Sequence, residues 1–195
     1  MLIFMQTGGN MKVFKLDDIL KEPLRSEIIR EIVNGSIFIY PTDTVYGLGC
    51  NALIEDSVIR IRDIKKTDHP FSVIAPSMEW IKKNFVIRFP EYLEKLPGPY
   101  TFILKQKKEI LPKIVSGSSK IGIRIPDHPF TRLITNAGVP FITTSANISG
   151  EKTIRRILEI PTELSSVDIV IDGGTLGERP SEIWDLTGEN PVRIR

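Results

Sequence analysis

The chain has 195 residues, 41% of them hydrophobic and 26% charged, with a formal net charge of +2. These are the proportions of a globular domain with a real core; the charge is too small to argue nucleic-acid binding alone, yet it leaves room for an anionic ligand. The single cysteine, Cys50, excludes an internal disulfide and suits a reducing cytosol, and with only two histidines beside it a dedicated zinc site is disfavoured.

The start, MLIFMQTGGN, is briefly apolar but has no basic n-region and no long apolar h-region, so it does not read as a signal peptide. Residues 1–11 read as a disordered extension and 12–195 as the domain, with Met11 an alternative start to Met1. No run reaches the roughly 18 apolar residues of a membrane span. The expectation is a cytoplasmic protein without a membrane partner.

Leu24 to Asn34 reads as a helix, with Leu24, Ile28, Ile32 and Val33 on one face and Gly35 at its stop. Ile37–Tyr40 is a strand that delivers the chain into a polar, glycine-containing loop, Pro41–Gly49. Asp56 is expected to cap a second helix that carries Val58, Ile61 and Ile64 and ends in Lys65-Lys66. Pro70 breaks it, and Phe71–Ala75 is a short strand. Trp80 and Phe85 fall on a small amphipathic helix and its exit.

Pro97-Gly98-Pro99 is a rigid turn before a strand at Thr101–Leu104. Lys105–Lys113 is a basic stretch, a hairpin tip or a short helix. Ser116–Ser119 is a loop, and Ile121–Ile125 a strand. Phe130, Leu133, Ile134 and Ala137 form a helix face closed by Gly138, and Phe141–Thr143 is a further strand. Residues 154–161 allow a short helix. Val167–Ile171 is a strand with a turn at Asp172-Gly173-Gly174, and Ile183–Leu186 and Val192–Arg195 close the chain. Helices and strands alternate without repeats, so the fold class is α/β: one domain on a twisted mixed sheet flanked by helices.

Polar segments gather at the ends of these elements, where open α/β sheets place ligands. Arg124 stands out because it lies in an apolar strand, IGIRIP, on the face opposite Ile123 and Ile125. A charge there is costly unless it is paired or lines a wet cavity, and its planar fork suits a carboxylate or phosphate. Asp43 or Asp185 could instead be a purely structural partner. Lys65 and Lys66 alone read as a solvated helix end, and His69 and His128 as loop histidines. No nucleophile–histidine–acid spacing, Walker A sequence or dinucleotide glycine fingerprint is present.

The order of YPTDTVYGLGC (Tyr40–Cys50), PGPYT (Pro97–Thr101), SGSSKIGIRIPDHP (Ser116–Pro129), TTSANISG (Thr143–Gly150) and IDGG…SEIWD (Ile171–Asp185) closely resembles the YrdC-like family, over about residues 24–195. Members of that family are threonylcarbamoyl-AMP synthases, and this chain resembles the short form that consists of the catalytic domain alone. The resemblance implies a YrdC-like fold. It implies a nucleotidyltransferase that makes threonylcarbamoyl-AMP and pyrophosphate from L-threonine, bicarbonate and ATP, with Mg²⁺. A threonylcarbamoyl-transferase partner would then modify the tRNA adenosine beside the anticodon, and tRNA or double-stranded RNA is an implied partner.

Residue by residue, the resemblance implies that Lys65 holds phosphate and Arg124 pairs with the threonine carboxylate. Thr44, Thr144 and Ser181 would contact threonine; Lys120, Ser145 and Asn147 would face the nucleotide; Ala146 would let the backbone approach the ligand; Arg195 would close the ATP site. Two departures stand out. The family's Lys-x-Arg is here Lys65-Lys66-Thr67, followed by a shortened loop to Pro70, so Lys66 or His69 is expected to supply the missing cation. Glu182 follows Ser181 where the family prefers threonine, and it could coordinate Mg²⁺ or point to solvent. An RNA-binding module of the same fold without full activity is the alternative, motivated by Lys105, Lys107, Lys108 and Lys113. A carbamoyl transferase of hydrogenase maturation is a third reading, disfavoured by the single cysteine and short chain.

Overall fold

The computed structural model of the chain describes residues 11–177 and 179–195. The expected extension at residues 1–11 lies outside the described residues except for Met11, which packs against the core.

In chain order the elements are β1 (Lys12–Lys15), α1 (Leu16–Ile19), α2 (Leu24–Asn34), β2 (Phe38–Tyr40), β3 (Gly47–Gly49), α3 (Glu55–Lys65), β4 (Ser72–Ile74), α4 (Met78–Asn84), β5 (Phe85–Val86) and α5 (Pro90–Leu93). There follow β6 (Tyr100–Gln106), β7 (Lys120–Arg124), α6 (Pro129–Ala137), β8 (Phe141–Ser145), β9 (Ile169–Asp172), β10 (Glu182–Asp185) and β11 (Val192–Arg193). Hydrogen bonding orders the strands β1-β9-β2-β3-β8-β4-β7-β6-β10-β11, with β5 attached to β6. Pairs β1/β9, β2/β9, β4/β7 and β6/β10 are parallel and the others antiparallel, so the sheet is mixed, as expected.

The two faces hold different cores. On one, α2 and α6 cover Phe38, Tyr40 and Phe141; the rings of Phe38 and Tyr40 meet Phe130 of α6, Tyr40 stacking on it with centroids 4.9 Å apart, and Phe141 meets Phe38 and Tyr40 edge-on. Helix α2 keeps its predicted bounds because Ile28 and Ile32 recur at helical spacing and are fully buried. Gly35 ends it in the left-handed region, φ 86°, where a side chain would be strained. Helix α6 starts at Pro129, whose missing N–H costs nothing in the first turn. Here His128 is more than a loop histidine: its Nδ1 accepts the Phe130 N–H at 3.2 Å and caps the helix. On the other face Val58 and Ile61 of α3 share one buried core with Ile37, Ile39 and Leu48.

Several expectations are corrected. Asp56 does not cap α3; Ile54 holds that position with no side-chain bond, and Asp56 lies in the first turn, where its charge suits the dipole. The helix expected over 154–161 shrinks to one 3-10 turn, Ile157–Glu159. Gly47–Gly49, read as loop, is a strand between β2 and β8. It must be bare: a Cβ on Gly49 would sit 1.9 Å from the Ile142 carbonyl oxygen. Among the described residues, no helix is long and apolar enough to cross a membrane.

Candidate functional site

Strand alternation turns one half of the α2/α6 face polar. Phe141 and Ile74 lie in the core under those helices. Two residues from each along its strand stand Thr143 and Ser72, and both line a cavity of about 430 Å³. That volume is in the usual range for a small-molecule site. Antiparallel pairing of β3 with β8, Gly47 opposite Ser145 and Leu48 opposite Thr144, brings the hydroxyl-bearing segments around Thr44 and Ser145 together. Thr44, Thr144, Ser145 and Asn147 all lie on its wall.

Arg124 ends β7 and is 7% exposed. Its Nη2 donates to Asp43 Oδ1 at 2.7 Å and approaches Thr44 Oγ1 at 3.4 Å. Asp43 also accepts the Asp127 N–H at 3.0 Å, so the carboxylate is held on both oxygens. Of the two acids considered for Arg124, Asp43 is therefore the partner; Asp185 pairs with Lys120 at 3.5 Å. Burial pulls the Arg124 guanidinium downward from its ordinary value, and the Asp43 charge opposes this. Arg124 Nε is buried with no hydrogen-bond partner. A buried guanidinium N–H left bare calls for an explanation, and Arg124 is itself a residue of the cavity wall. Next to it, Gly122 clears space: a Cβ there would meet Ser72 Oγ at 2.5 Å.

Hydroxyls furnish much of the remaining wall. Thr42 and Thr44 are 3.0 Å apart at their Oγ1 atoms, with Thr42 also donating to the Val45 carbonyl at 2.7 Å. Thr101 and Ser181, both buried, pair at 2.9 Å across β6 and the start of β10. Arg195 lines the same cavity, with its Nε donating to the Ser181 carbonyl at 3.1 Å. Burial lowers its pKa from the ordinary arginine value. Tyr46 ties β3 to the segment after β9, accepting the Gly173 N–H at 3.0 Å and donating to the Gly174 carbonyl at 2.8 Å. Among the described residues the charged groups of the wall are Arg124, already paired with Asp43, together with Arg195 and Glu151.

The expected residues thus divide. Arg124, Thr44, Thr144, Ser181, Ser145, Asn147 and Arg195 share the cavity wall. Ala146 is buried just behind it, its N–H on the Tyr46 carbonyl at 2.8 Å. Lys66 and His69 are exposed and off the wall, and so is Lys120. Lys65 is off the wall too: its ammonium is turned to the carbonyls of Ser145 and Asn147, each at 2.7 Å. Glu182 does not face the cavity either; it pairs with Arg193 at 3.4 Å and accepts the Trp184 indole N–H. Ser72, Thr101, Thr143 and Glu151 belong to the wall but were not given a role from the sequence, and Thr42, within the motif Tyr40–Cys50, belongs to it as well. Thr101 and Thr143 fell within quoted motifs, which was the available signal.

Comparison with known proteins gives the arrangement relatives. The Sua5_yciO_yrdC family model, described as telomere recombination, matches residues 30–195. A Methanocaldococcus jannaschii protein provisionally named threonylcarbamoyl-AMP synthase is 38% identical over 192 residues, 95% of this chain and 91% of its own length. The structure of P. abyssi Sua5 complexed with L-threonine superposes with a TM-score of 0.81 at 29% identity; the match covers 95% of this chain but only 56% of that one. The crystal structure of E. coli YciO superposes with a TM-score of 0.80 at 28% identity, covering 95% of this chain and 94% of that one.

Proposed function

From the premise that the chain belongs to the Sua5/YciO/YrdC family, we propose that it is an L-threonylcarbamoyladenylate synthase. Threonine and bicarbonate combine to N-carboxythreonine and water. A carbamate oxygen then forms a bond to the α-phosphorus of ATP while the bond to the β-phosphate oxygen breaks, giving threonylcarbamoyl-AMP and pyrophosphate. Such a reaction asks the protein for positioning and charge compensation rather than for a covalent nucleophile.

One observation carries the assignment: Arg124, fixed by Asp43, leaves a buried Nε without a partner beside a hydroxyl-lined cavity. A carboxylate completes that guanidinium. In this reading the threonine carboxylate lies on Arg124, and Thr44, Thr144 and Ser181 contact the rest of the amino acid. Ser145, Ala146 and Asn147 approach the nucleotide, and Arg195 faces its phosphates. The P. abyssi Sua5 structure named above holds L-threonine, which supports this choice of amino acid.

Magnesium fits as an ion carried on ATP rather than as a resident of the protein. Among the described residues there is no group of three or more His, Cys, Asp or Glu that could hold a metal, and Glu151 is the one carboxylate on the wall. Bound to the phosphates, the ion would spread the charge of the departing pyrophosphate. The product is a reactive mixed anhydride, so a transferase that carries it to a tRNA adenosine is the expected partner, in the cytoplasm.

Calorimetric titration tests the pocket. L-threonine should bind, while L-threoninol, which lacks the carboxylate, should bind at least about tenfold more weakly, the scale of one charge-assisted pair. Equal affinity for the two would remove Arg124 from the proposed role.

A further inference from the structure

Lysine 65 is the one buried ammonium of the site whose neighbours contradict the obvious use for it. It is the last residue of α3 and is 5% exposed. An ammonium has three N–H donors. Here they meet three acceptors: the Ser145 carbonyl at 2.7 Å, the Asn147 carbonyl at 2.7 Å and Asn147 Oδ1 at 3.3 Å. Nothing is left to offer a phosphate.

The acceptors all belong to the turn that leaves β8. Asn147 Oδ1 also accepts the Ser145 hydroxyl, and its Nδ2 donates to the Ile148 and Glu151 carbonyls at 2.9 and 2.7 Å. The Lys65 carbonyl accepts the Ser149 N–H at 3.4 Å, so the end of α3 holds the turn from both its side chain and its backbone. Without the ammonium, the carbonyls of Ser145 and Asn147 would converge with no donor between them, which is unfavourable away from water.

We propose that Lys65 is a positioning residue: it clamps the Ser145–Asn147 turn in the form that presents Ser145 and Asn147 to the nucleotide, and it does not itself ligate phosphate. This rests on the proposed function for the identity of the nucleotide, and on geometry alone for the clamp. Burial lowers the ammonium to about 8. Phosphate charge then falls to Arg195 on the cavity wall.

Three measurements decide it. In the unaltered protein with ¹⁵N-labelled lysine, Lys65 should give a slowly exchanging ammonium signal, as a hydrogen-bonded, solvent-shielded group does; a fast-exchanging Lys65 overturns the clamp whether or not the protein makes an adenylate. Lys65→Met keeps the length of the side chain and removes its donors. It should speed hydrogen exchange about tenfold or more at Ala146 and Asn147 while amides of α2 and α6 keep their rates, and unchanged exchange at the turn overturns the proposal.

Binding separates this role from a phosphate contact. Lys65→Met should weaken ATP and AMP by the same factor, about tenfold to a hundredfold, the scale of charge-assisted hydrogen bonds. Threonine affinity should stay within about threefold. A loss confined to ATP would make Lys65 a ligand of the outer phosphates, and an equal loss for threonine would mean general destabilisation; either overturns the assignment. If the unaltered protein binds no nucleotide, the functional reading fails, and the ammonium signal and exchange rates still judge the clamp.

Discussion

Removing the charge pair at Asp43 and Arg124 should separate stability from activity. The pair is close, 2.7 Å, and its side chains are only 8% and 10% exposed. Arg124→Met leaves the Asp43 carboxylate buried without its cation, which costs about 3–5 kcal/mol. For a chain of this size each kcal/mol moves the melting temperature by about 2–4 °C, so a fall of roughly 6–20 °C is expected. In the double variant Asp43→Asn/Arg124→Met both charges are gone, and the Asn carbonyl can still accept the Asp127 N–H that Asp43 now holds. Exchange of a buried pair for neutral groups is often close to neutral, so the double variant should recover to within about 1 kcal/mol of the unaltered protein. It should nevertheless lose threonine-dependent pyrophosphate release by at least about a hundredfold, because the carboxylate of the substrate has lost its partner. Thermal denaturation and a pyrophosphate assay on the four proteins close the cycle. A double variant no more stable than Arg124→Met, or one that keeps its activity, would refute the claim that this pair is retained for ligand binding.

Other consequences concern the scaffold. Gly49→Ala should cost more than about 3 kcal/mol in chemical denaturation, since its Cβ would lie 1.9 Å from a backbone oxygen that a sheet cannot readily move. Tyr46→Phe strands the Gly173 N–H and Gly174 carbonyl; a loss of about 1–3 kcal/mol and faster exchange at Gly173 are expected. His128 caps α6 through an unprotonated Nδ1, and burial lowers its pKa below the usual 6.5, with the nearby Asp43 and Asp127 charges opposing. The unfolded chain therefore binds the proton more readily, so this contribution is intact above pH 6.5 and fades as pH falls through the folded value. His128→Asn, which caps without titrating, should flatten the melting temperature between pH 7 and 5; an unchanged slope would remove His128 as its source.

What the sequence could disclose depended on whether a residue's local pattern had one physical meaning. The bounds of helix α2 were legible because apolar spacing and Gly35 agree, although Val33, read onto its apolar face, is 41% exposed. Arg124 was legible because a charge in an apolar strand has few explanations, and its two candidate partners, Asp43 and Asp185, needed only distances to separate them. Strand β3 was not legible, since two glycines in three residues look like a turn; what makes them a strand is the close approach of β8, a contact about a hundred residues away in sequence. Lys65 shows the same limit at the site. A lysine that clamps carbonyls and one that ligates phosphate have the same sequence signature at a helix end, and only the positions of Ser145 and Asn147 tell them apart. The basic pair Lys66 and His69 looked like replacements for a missing arginine, yet Lys66 takes a left-handed conformation, φ 51°, as the C-cap of α3, and the loop beyond it is held by Arg62, which donates to the Thr67 and His69 carbonyls.

The most direct test of the central claim is pyrophosphate release from ATP and Mg²⁺ by the purified, folded protein, with L-threonine and bicarbonate supplied separately and together. A threonylcarbamoyl-AMP synthase releases pyrophosphate only when both are present, and threonylcarbamoyl-AMP is then identified by its mass. Release that ignores threonine, or none from a folded sample that binds both ATP and threonine, would contradict the assignment.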